Sequence, residues 1–241
     1  MYGEFRLAWL GLNTDRMVRS MRIGTWNVEN RLITDAHRDL LLDQKCDVWL
    51  LTEVNRKWAD DAGTKVLHFN SHLSKGIMGR NQHWAAVLSV SPLDRRDDPH
   101  AASAAAVVNG VTYCSTILPW RGVKSDSAPW HGSNHSEMTK NAIETLLSKL
   151  PMSDLVWGGD WNHSLIGKEH AGSMGGRNHL FEAIKKLGLN VPTTGLSHRG
   201  NYCQAIDHIG VPLSWTVESA KRIKAEGSSD HDAYVIEVFK A

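Results

Sequence analysis

The chain has 241 residues with 41% apolar content, enough for a sizeable core, and mixed sandwiches of this length are often one domain. Lys and Arg total 27 against 26 Asp and Glu, a formal charge of +1. That excludes a strongly basic surface at whole-chain level and leaves local basic patches, or a divalent cation, to supply positive charge.

Residues 1–20 read as an N-terminal extension. The apolar run at 7–12 is short and is followed by Asp15 and Arg16, unlike a signal peptide. The regular domain is expected over 21–241. No stretch is long enough to span a membrane. The odd set of three cysteines (Cys46, Cys114, Cys203) lacks C-x-x-C spacing and fits a reducing, cytoplasmic setting, with Cys46 and Cys114 as buried thiols.

Residues 23–28 predict a strand, and 35–44 a short helix with Leu40 and Leu41 inward. The run 47–52 is apolar almost throughout, which suits a strand covered on both faces. Residues 83–90 form another strand candidate, ended by Ser91-Pro92. Asn109-Gly110 between β-prone runs at 104–108 and 111–118 is a hairpin signal. The polar stretch 121–133, rich in Gly, Ser, Pro and Trp, reads as a long loop or lid.

A helix follows at 137–150, with Ile143, Leu146, Leu147 and Leu150 at helical spacing. Residues 155–159 read as a strand. Residues 178–187 read as a helix with Leu180, Phe181, Ile184 and Leu187 on one face and Gly188 as its stop. Strands at 205–211, 215–218 and 233–239 complete the set. Hairpins interspersed with helices imply two packed sheets with helices outside, while periodicity alone leaves the topology open. Of the ten tryptophans, Trp26, Trp49 and Trp157 sit in strands and are expected in the core. Trp120 and Trp130 lie in or beside the polar loop and are not expected to be simple core residues; stacking on a base, clamping a lipid headgroup and closing the loop onto the body are the roles left open to them.

The polar residues that interrupt apolar strand ends carry the chemistry. They are Asn27 in Thr-Trp-Asn-Val-Glu, Glu53 in Leu-Leu-Thr-Glu, and Asp160 and Asn162 in Gly-Gly-Asp-Trp-Asn. Asp207 follows in Ala-Ile-Asp-His-Ile, and Asp230 and His231 in Ser-Ser-Asp-His. A carboxylate at a buried strand end is costly unless paired. Several such ends converging on one edge of a sandwich would be stabilised by a hard cation with oxygen ligands. Taken singly, each is more simply a cap or turn former.

In this order, however, Trp-Asn, Thr-Glu, Gly-Asp-Trp-Asn, Ile-Asp-His-Ile and Ser-Asp-His resemble the endonuclease/exonuclease/phosphatase superfamily, from about Met21 to the C-terminus. The resemblance implies an α/β four-layer sandwich: two mixed sheets face to face, helices on both outer sides, and the site at one edge. It also implies in-line attack of water on a phosphoester. Glu53 is then the main metal ligand, with Asn27, Glu29 and Asp230 beside it. The ion is Mg²⁺, with Mn²⁺ as the other ion suited to oxygen ligands. Asp160 would orient and deprotonate the water. Asn162, taken as facing the same way in an extended segment, would donate to the nucleophile or a phosphoryl oxygen. His231, its ring held by Asp207, would contact the phosphate or move a proton.

One departure stands out. Where many members carry His or Tyr two residues before a Pro, this chain has Ile117 before Pro119. Arg121, His131 or His135 from the next loop are candidate replacements, Arg121 being the best match to phosphate. Trp120 and Arg121 with His83 and His131 form the expected substrate rim, whereas strand alternation turns His163 and His208 away. Nucleic acid is the expected substrate. A small phosphorylated metabolite or lipid headgroup is the alternative, and a silent binding domain of the same fold is a third possibility whose support is Ile117.

Overall fold

The structure, a computed structural model, describes residues 20–58, 68–198 and 203–240. The expected extension therefore lies outside the described residues except for Ser20, which opens the first strand. Chain order runs β1 (Ser20–Asn27), α1 (Asp35–Asp43), β2 (Val48–Asn55), β3 (Asn70–Leu73), β4 (Ile77–Gly79), β5 (Gln82–Ser89), β6 (Asp94–Arg95), β7 (Ser103–Val108) and β8 (Val111–Thr116). It continues with α2 (His135–Leu147), β9 (Leu155–Asp160), α3 (Met174–Lys186), β10 (Leu189–Asn190), β11 (Asp207–Pro212), β12 (Thr216–Ile223) and β13 (Ala233–Phe239).

Seven strands form one sheet in the order β12-β13-β1-β2-β5-β3, with β4 also on β5. Six form the other, in the order β10-β11-β9-β8-β7-β6. Each sheet holds a parallel pair, β1 with β2 and β8 with β9, among antiparallel neighbours, so both are mixed.

Three apolar clusters bind the layers. Ile23, Leu50, Val87 and Ile236 meet Ala106, Tyr113, Val156 and Ile209 between the sheets. Trp26, Trp49 and Leu51 pack outward with Leu41 of α1 and Trp58. Cys114, Trp157 and Leu155 pack against Met138, Ile143 and Leu146 of α2 and Leu180 of α3. Period-2 alternation explains this partition, since Leu50 faces inward while Trp49 and Leu51 face the helix layer. The result is the expected four-layer sandwich. Trp26, Trp49 and Trp157 are buried, as are the free thiols of Cys46 and Cys114. Among the described residues, no helix is long and apolar enough to cross a membrane.

The differences from the sequence reading have local causes. Helix α3 starts at Met174 because Ser173 caps it, its hydroxyl accepting from the Gly176 amide at 3.1 Å. Its Phe181 faces solvent at 44% exposure. β12 extends to Ile223 because β13 offers a partner along its whole length. The short strands β3, β4, β6 and β10 carry too few residues for a periodic signal. Trp130 is 2% exposed and stacks edge-on against Trp84, with centroids 4.9 Å apart. It thereby anchors the polar loop to the core, and Trp120 stacks on it at 5.5 Å while staying 39% exposed.

Strand direction gathers the site. Asn27 ends β1 beside Thr52 of the parallel β2, one residue before Glu53. Asp160 ends β9 directly opposite Asp207, which begins the antiparallel β11. Thr25 pairs with Tyr234, so the segment before β13, carrying Asp230 and His231, reaches the same end.

Gly159 makes the last step of β9 possible. It sits at φ 120, and a Cβ there would lie 2.2 Å from the Thr116 carbonyl oxygen. Gly159→Ala is therefore expected to cost more than about 1 kcal/mol of stability and to displace Asp160. Equilibrium denaturation is the check, and an unchanged midpoint would refute this account of the Gly-Gly-Asp motif.

Candidate active site

Asn27 lies at the centre of the cluster. Its buried Nδ2 donates to Glu53 Oε1 and to Asp160 Oδ2, each at 3.0 Å, and its Oδ1 accepts the Glu29 amide at 2.9 Å. With that orientation it braces two carboxylates from different sheets. Asn30 adds a second amide donor, Nδ2 to Glu53 Oε2 at 3.2 Å. Glu29 accepts the Asp230 amide at 2.9 Å and pairs with Arg31 at 2.7 Å, so it secures the loop that carries Asp230.

Asp160 is buried and also accepts the Asn162 amide, at 2.9 Å through Oδ1. Asn162 donates its Nδ2 to the Leu118 carbonyl at 2.9 Å, which leaves one amide hydrogen for another acceptor. Its placement differs from the extended-strand expectation. β9 ends at Asp160, and Asn162 occupies the left-handed region at φ 51, so a turn aims it. Glu29, Asn30 and Glu53 share that conformation, at φ 52, 53 and 53. Four non-glycine residues held in the left-handed region at one end of a sandwich are a concentration of backbone strain of the kind found at functional sites.

Asp207 is fully buried, and its Oδ2 accepts from His231 Nδ1 at 2.7 Å. The His231 Nε2 lies 4.0 Å from Asp230 Oδ1. Burial pushes the His231 pKa down. The charge and hydrogen bond of Asp207, with Asp160 and Asp230 behind them, outweigh that and hold it at about 10, so the ring is imidazolium at neutral pH. Asp160 is pushed up to about 8 by burial and then by the Asp207 charge, against the opposing pull of His231, Asn27 and the Asn162 amide. Glu53 is also raised, by burial and by Asp230 and Asp207, with Asn27 and His231 opposing.

Carboxylates crowded this closely are the environment a divalent cation relieves. The donors are oxygens, and the buried Asn30 Oδ1 beside Glu53 has no hydrogen-bond partner among the described residues. These residues therefore fit a hard cation.

The other expected residues fall less close. Arg121 is exposed, but its amide is tied to the Ala171 carbonyl at 2.7 Å, on the loop that follows Asn162. His83 is occupied structurally, its Nδ1 bonded to the Ser74 carbonyl at 2.7 Å. His131 lies near enough to His100 to bear on its charge, and its carbonyl accepts from Asn141. His135 bonds Ser173 and the Pro119 carbonyl. His163 and His208 are buried away from the cluster, each pushed down to about 4, chiefly by burial. Ile117 is fully buried in the cluster beneath α2 and α3.

Three residues at the site had escaped assignment. Asn30 directly follows the quoted Thr-Trp-Asn-Val-Glu, and Ser229 lies inside Ser-Ser-Asp-His. The Ser229 hydroxyl donates to the Asn27 carbonyl at 2.7 Å and accepts the His231 amide at 3.0 Å. His198 comes from a distant loop with no motif around it, and its ring lies edge-on to His231 with centroids 5.0 Å apart.

This sandwich, with acids, amides and an Asp–His pair at one end, has the DNase I-like architecture of phosphoester hydrolases. The chain belongs to the Endonuclease/Exonuclease/phosphatase family, whose model matches residues 24–231. Among solved structures, it is similar to an AP endonuclease from Archaeoglobus fulgidus, with TM-score 0.69 and 17% identity over 92% of this chain and 100% of that one. It is also similar to the endonuclease domain of TRAS1, a telomere-specific non-LTR retrotransposon, with TM-score 0.64 and 17% identity over 91% and 98%. A third likeness is AP endonuclease LMAP from Leishmania major, with TM-score 0.66 and 12% identity over 92% and 89%. No curated protein sequence matches the chain significantly.

Two outcomes follow from this geometry. In the metal-free protein, the His231 ring should remain protonated at pH 8 by NMR, and Asp207→Asn should return its pKa to about 6.5 or below. Because the folded value lies above the unfolded one, the pair's stabilisation is complete below about pH 6.5 and is lost as pH rises toward about 10. A His231 ring already neutral at pH 7.5 would contradict this. Ile117→His should destabilise the protein by roughly 2–4 kcal/mol, since it buries a polar ring in an apolar cluster. Denaturation at unchanged midpoint would show that the position tolerates the family residue.

Proposed function

We propose that this chain is a divalent-cation-dependent phosphoesterase that cleaves phosphodiester bonds of DNA or RNA by in-line attack of water. The observation that carries the reading is the Asn27 amide spanning Glu53 and Asp160 at 3.0 Å each, with the Asp207–His231 pair at the same end of the sandwich. Glu53 and Asp230 would hold Mg²⁺ or Mn²⁺, with Asn27, Asn30 and Glu29 shaping the site around them. When bound, the ion supplies Lewis-acid stabilisation of charge on the scissile phosphate and leaving oxygen.

Asp160 orients the attacking water and takes its proton. Its burial keeps it basic enough for that task, and its hydrogen bonds to Asn27 and Asn162 fix its direction. The remaining Asn162 amide hydrogen donates to the nucleophile or a phosphoryl oxygen. His231, held cationic by Asp207, contacts the phosphate and offsets the charge that develops there.

Substrate choice rests on the loop after β8. Trp120 exposes part of its ring and the next residue, Arg121, is exposed as well, two residue types suited to a nucleobase and its phosphate. Likeness to structures of endonucleases supports nucleic acid over a small phosphoester. The three free cysteines are compatible with the cytoplasm.

Purified protein with Mg²⁺ should be assayed on plasmid, single-stranded DNA, RNA and a chromogenic diester. Hydrolysis is expected on at least one nucleic acid. Asp160→Ala should reduce it about 10³-fold or more without loss of the cooperative unfolding transition. Glu53→Gln should raise the Mg²⁺ concentration for half-maximal rate about 10- to 100-fold. Turnover confined to the small diester would shift the reading to a small-substrate phosphodiesterase. Full activity in Asp160→Ala would overturn the mechanism.

A further inference from the structure

The nitrogen ligands at the site point to chemistry that a Mg²⁺ site does not use. His198, Asp207 and His231 each offer a ligand atom, and these atoms lie within 4.8 Å of one another. Asp207 is fully buried, yet its second oxygen, Oδ1, has no hydrogen-bond partner among the described residues. A buried carboxylate oxygen left bare is costly and uncommon, and an ordered water or a bound cation satisfies it. The rings of His198 and His231 are packed edge-on rather than stacked flat, at an interplanar angle of 73°. His198 Nδ1 stands 3.4 Å from the Tyr234 hydroxyl, which itself donates to the Ser197 carbonyl at 3.1 Å.

We propose that His198, Asp207 and His231 form a second cation site, selective for a borderline-soft divalent ion of the zinc class, and that its occupancy silences the phosphoesterase. Two imidazoles and one carboxylate with an open fourth position form a donor set that zinc takes readily, whereas Mg²⁺ prefers oxygen and keeps its waters. Tetrahedral bonds of about 2.0–2.1 Å bring ligand atoms to about 3.4 Å apart. The trio therefore closes by a contraction of at most about 1.4 Å between ligand atoms. Occupancy takes His231 from the phosphate and Asp207 from the His231 ring that it holds, so inhibition follows from the ligand set. The silencing half of the proposal rests on the function proposed above; the binding half does not.

The test uses the full chain freed of metal and titrated with Zn²⁺ alone by calorimetry. One Zn²⁺ per chain at micromolar or tighter affinity is expected. His198→Ala and Asp207→Asn should each weaken it at least tenfold, whereas His179→Ala, at a half-buried position on α3, leaves it unchanged. Should a variant fail to fold, histidine-selective NMR of the wild-type protein replaces it. The His198 and His231 rings must then shift first on substoichiometric Zn²⁺. No stoichiometric binding, equal binding by His198→Ala, or first shifts at other histidines would each overturn the site. In the activity arm, saturating Zn²⁺ should cut Mg²⁺-supported hydrolysis at least tenfold. His198→Ala, compared with its own Zn²⁺-free rate, should need at least tenfold more Zn²⁺ for the same loss; equal sensitivity overturns the silencing. Zn²⁺ bound by the trio in a protein that hydrolyses nothing sinks the phosphoesterase reading and the silencing while the site stands.

Discussion

Negative charge held out of water at one end of the sandwich is the constraint on which the rest depends. Asp160 and Asp207 face each other across the β9–β11 pair, both buried, and Glu53 lies one amide group away from Asp160. Like charges this close raise one another's proton affinity, and burial raises it further. The protein offsets this with directed donors: the Asn27 and Asn30 amides, the backbone N–H of Asn162 and the imidazolium of His231. Those donors reduce the cost without removing the charge, which is why an added cation suits the site.

The cost is tolerable because the strands that present these groups are rigid. Three apolar clusters clamp both faces of both sheets, so the ends of β1, β2 and β9 cannot relax apart. The same rigidity sustains left-handed backbone at Glu29, Asn30, Glu53 and Asn162, on the order of 1 kcal/mol or more each. Behind Asn162, a buried layer fixes the loop. His163 bonds the Trp161 carbonyl, His208 bonds the His163 carbonyl, and Glu169 pairs with Arg177. That loop in turn holds the Arg121 amide through the Ala171 carbonyl, which ties the segment after β8 to the loop that follows Asn162.

The long polar loop shows how composition misleads where packing intervenes. Its Gly, Ser and Pro content reads as a long loop or lid, and within that loop Trp130 enters the core and seats Trp120 above it. A tryptophan in a polar stretch carries no periodic signal, so its burial depends on packing against Trp84 and the α2 cluster. Phe181 is the converse case, an apolar residue at helical spacing left outside because the stripe that α3 buries is narrower than its apolar face.

Much was legible in one dimension. Apolar alternation located the long strands and helices, and polar residues interrupting those strands marked Asn27, Glu53, Asp160, Asp207 and His231, since such side chains are unfavourable there without a shared purpose. The sequence by itself determined the family, the layered class of fold and the chemistry of the cluster, because these depend on residue type and short-range order. The tertiary structure alone decided the pairing of Asn27 with two acids from opposite sheets, the turn that aims Asn162, and the arrival of His198 beside His231. Those depend on strand register and loop closure across long separations, and neighbouring residues leave no local trace of them.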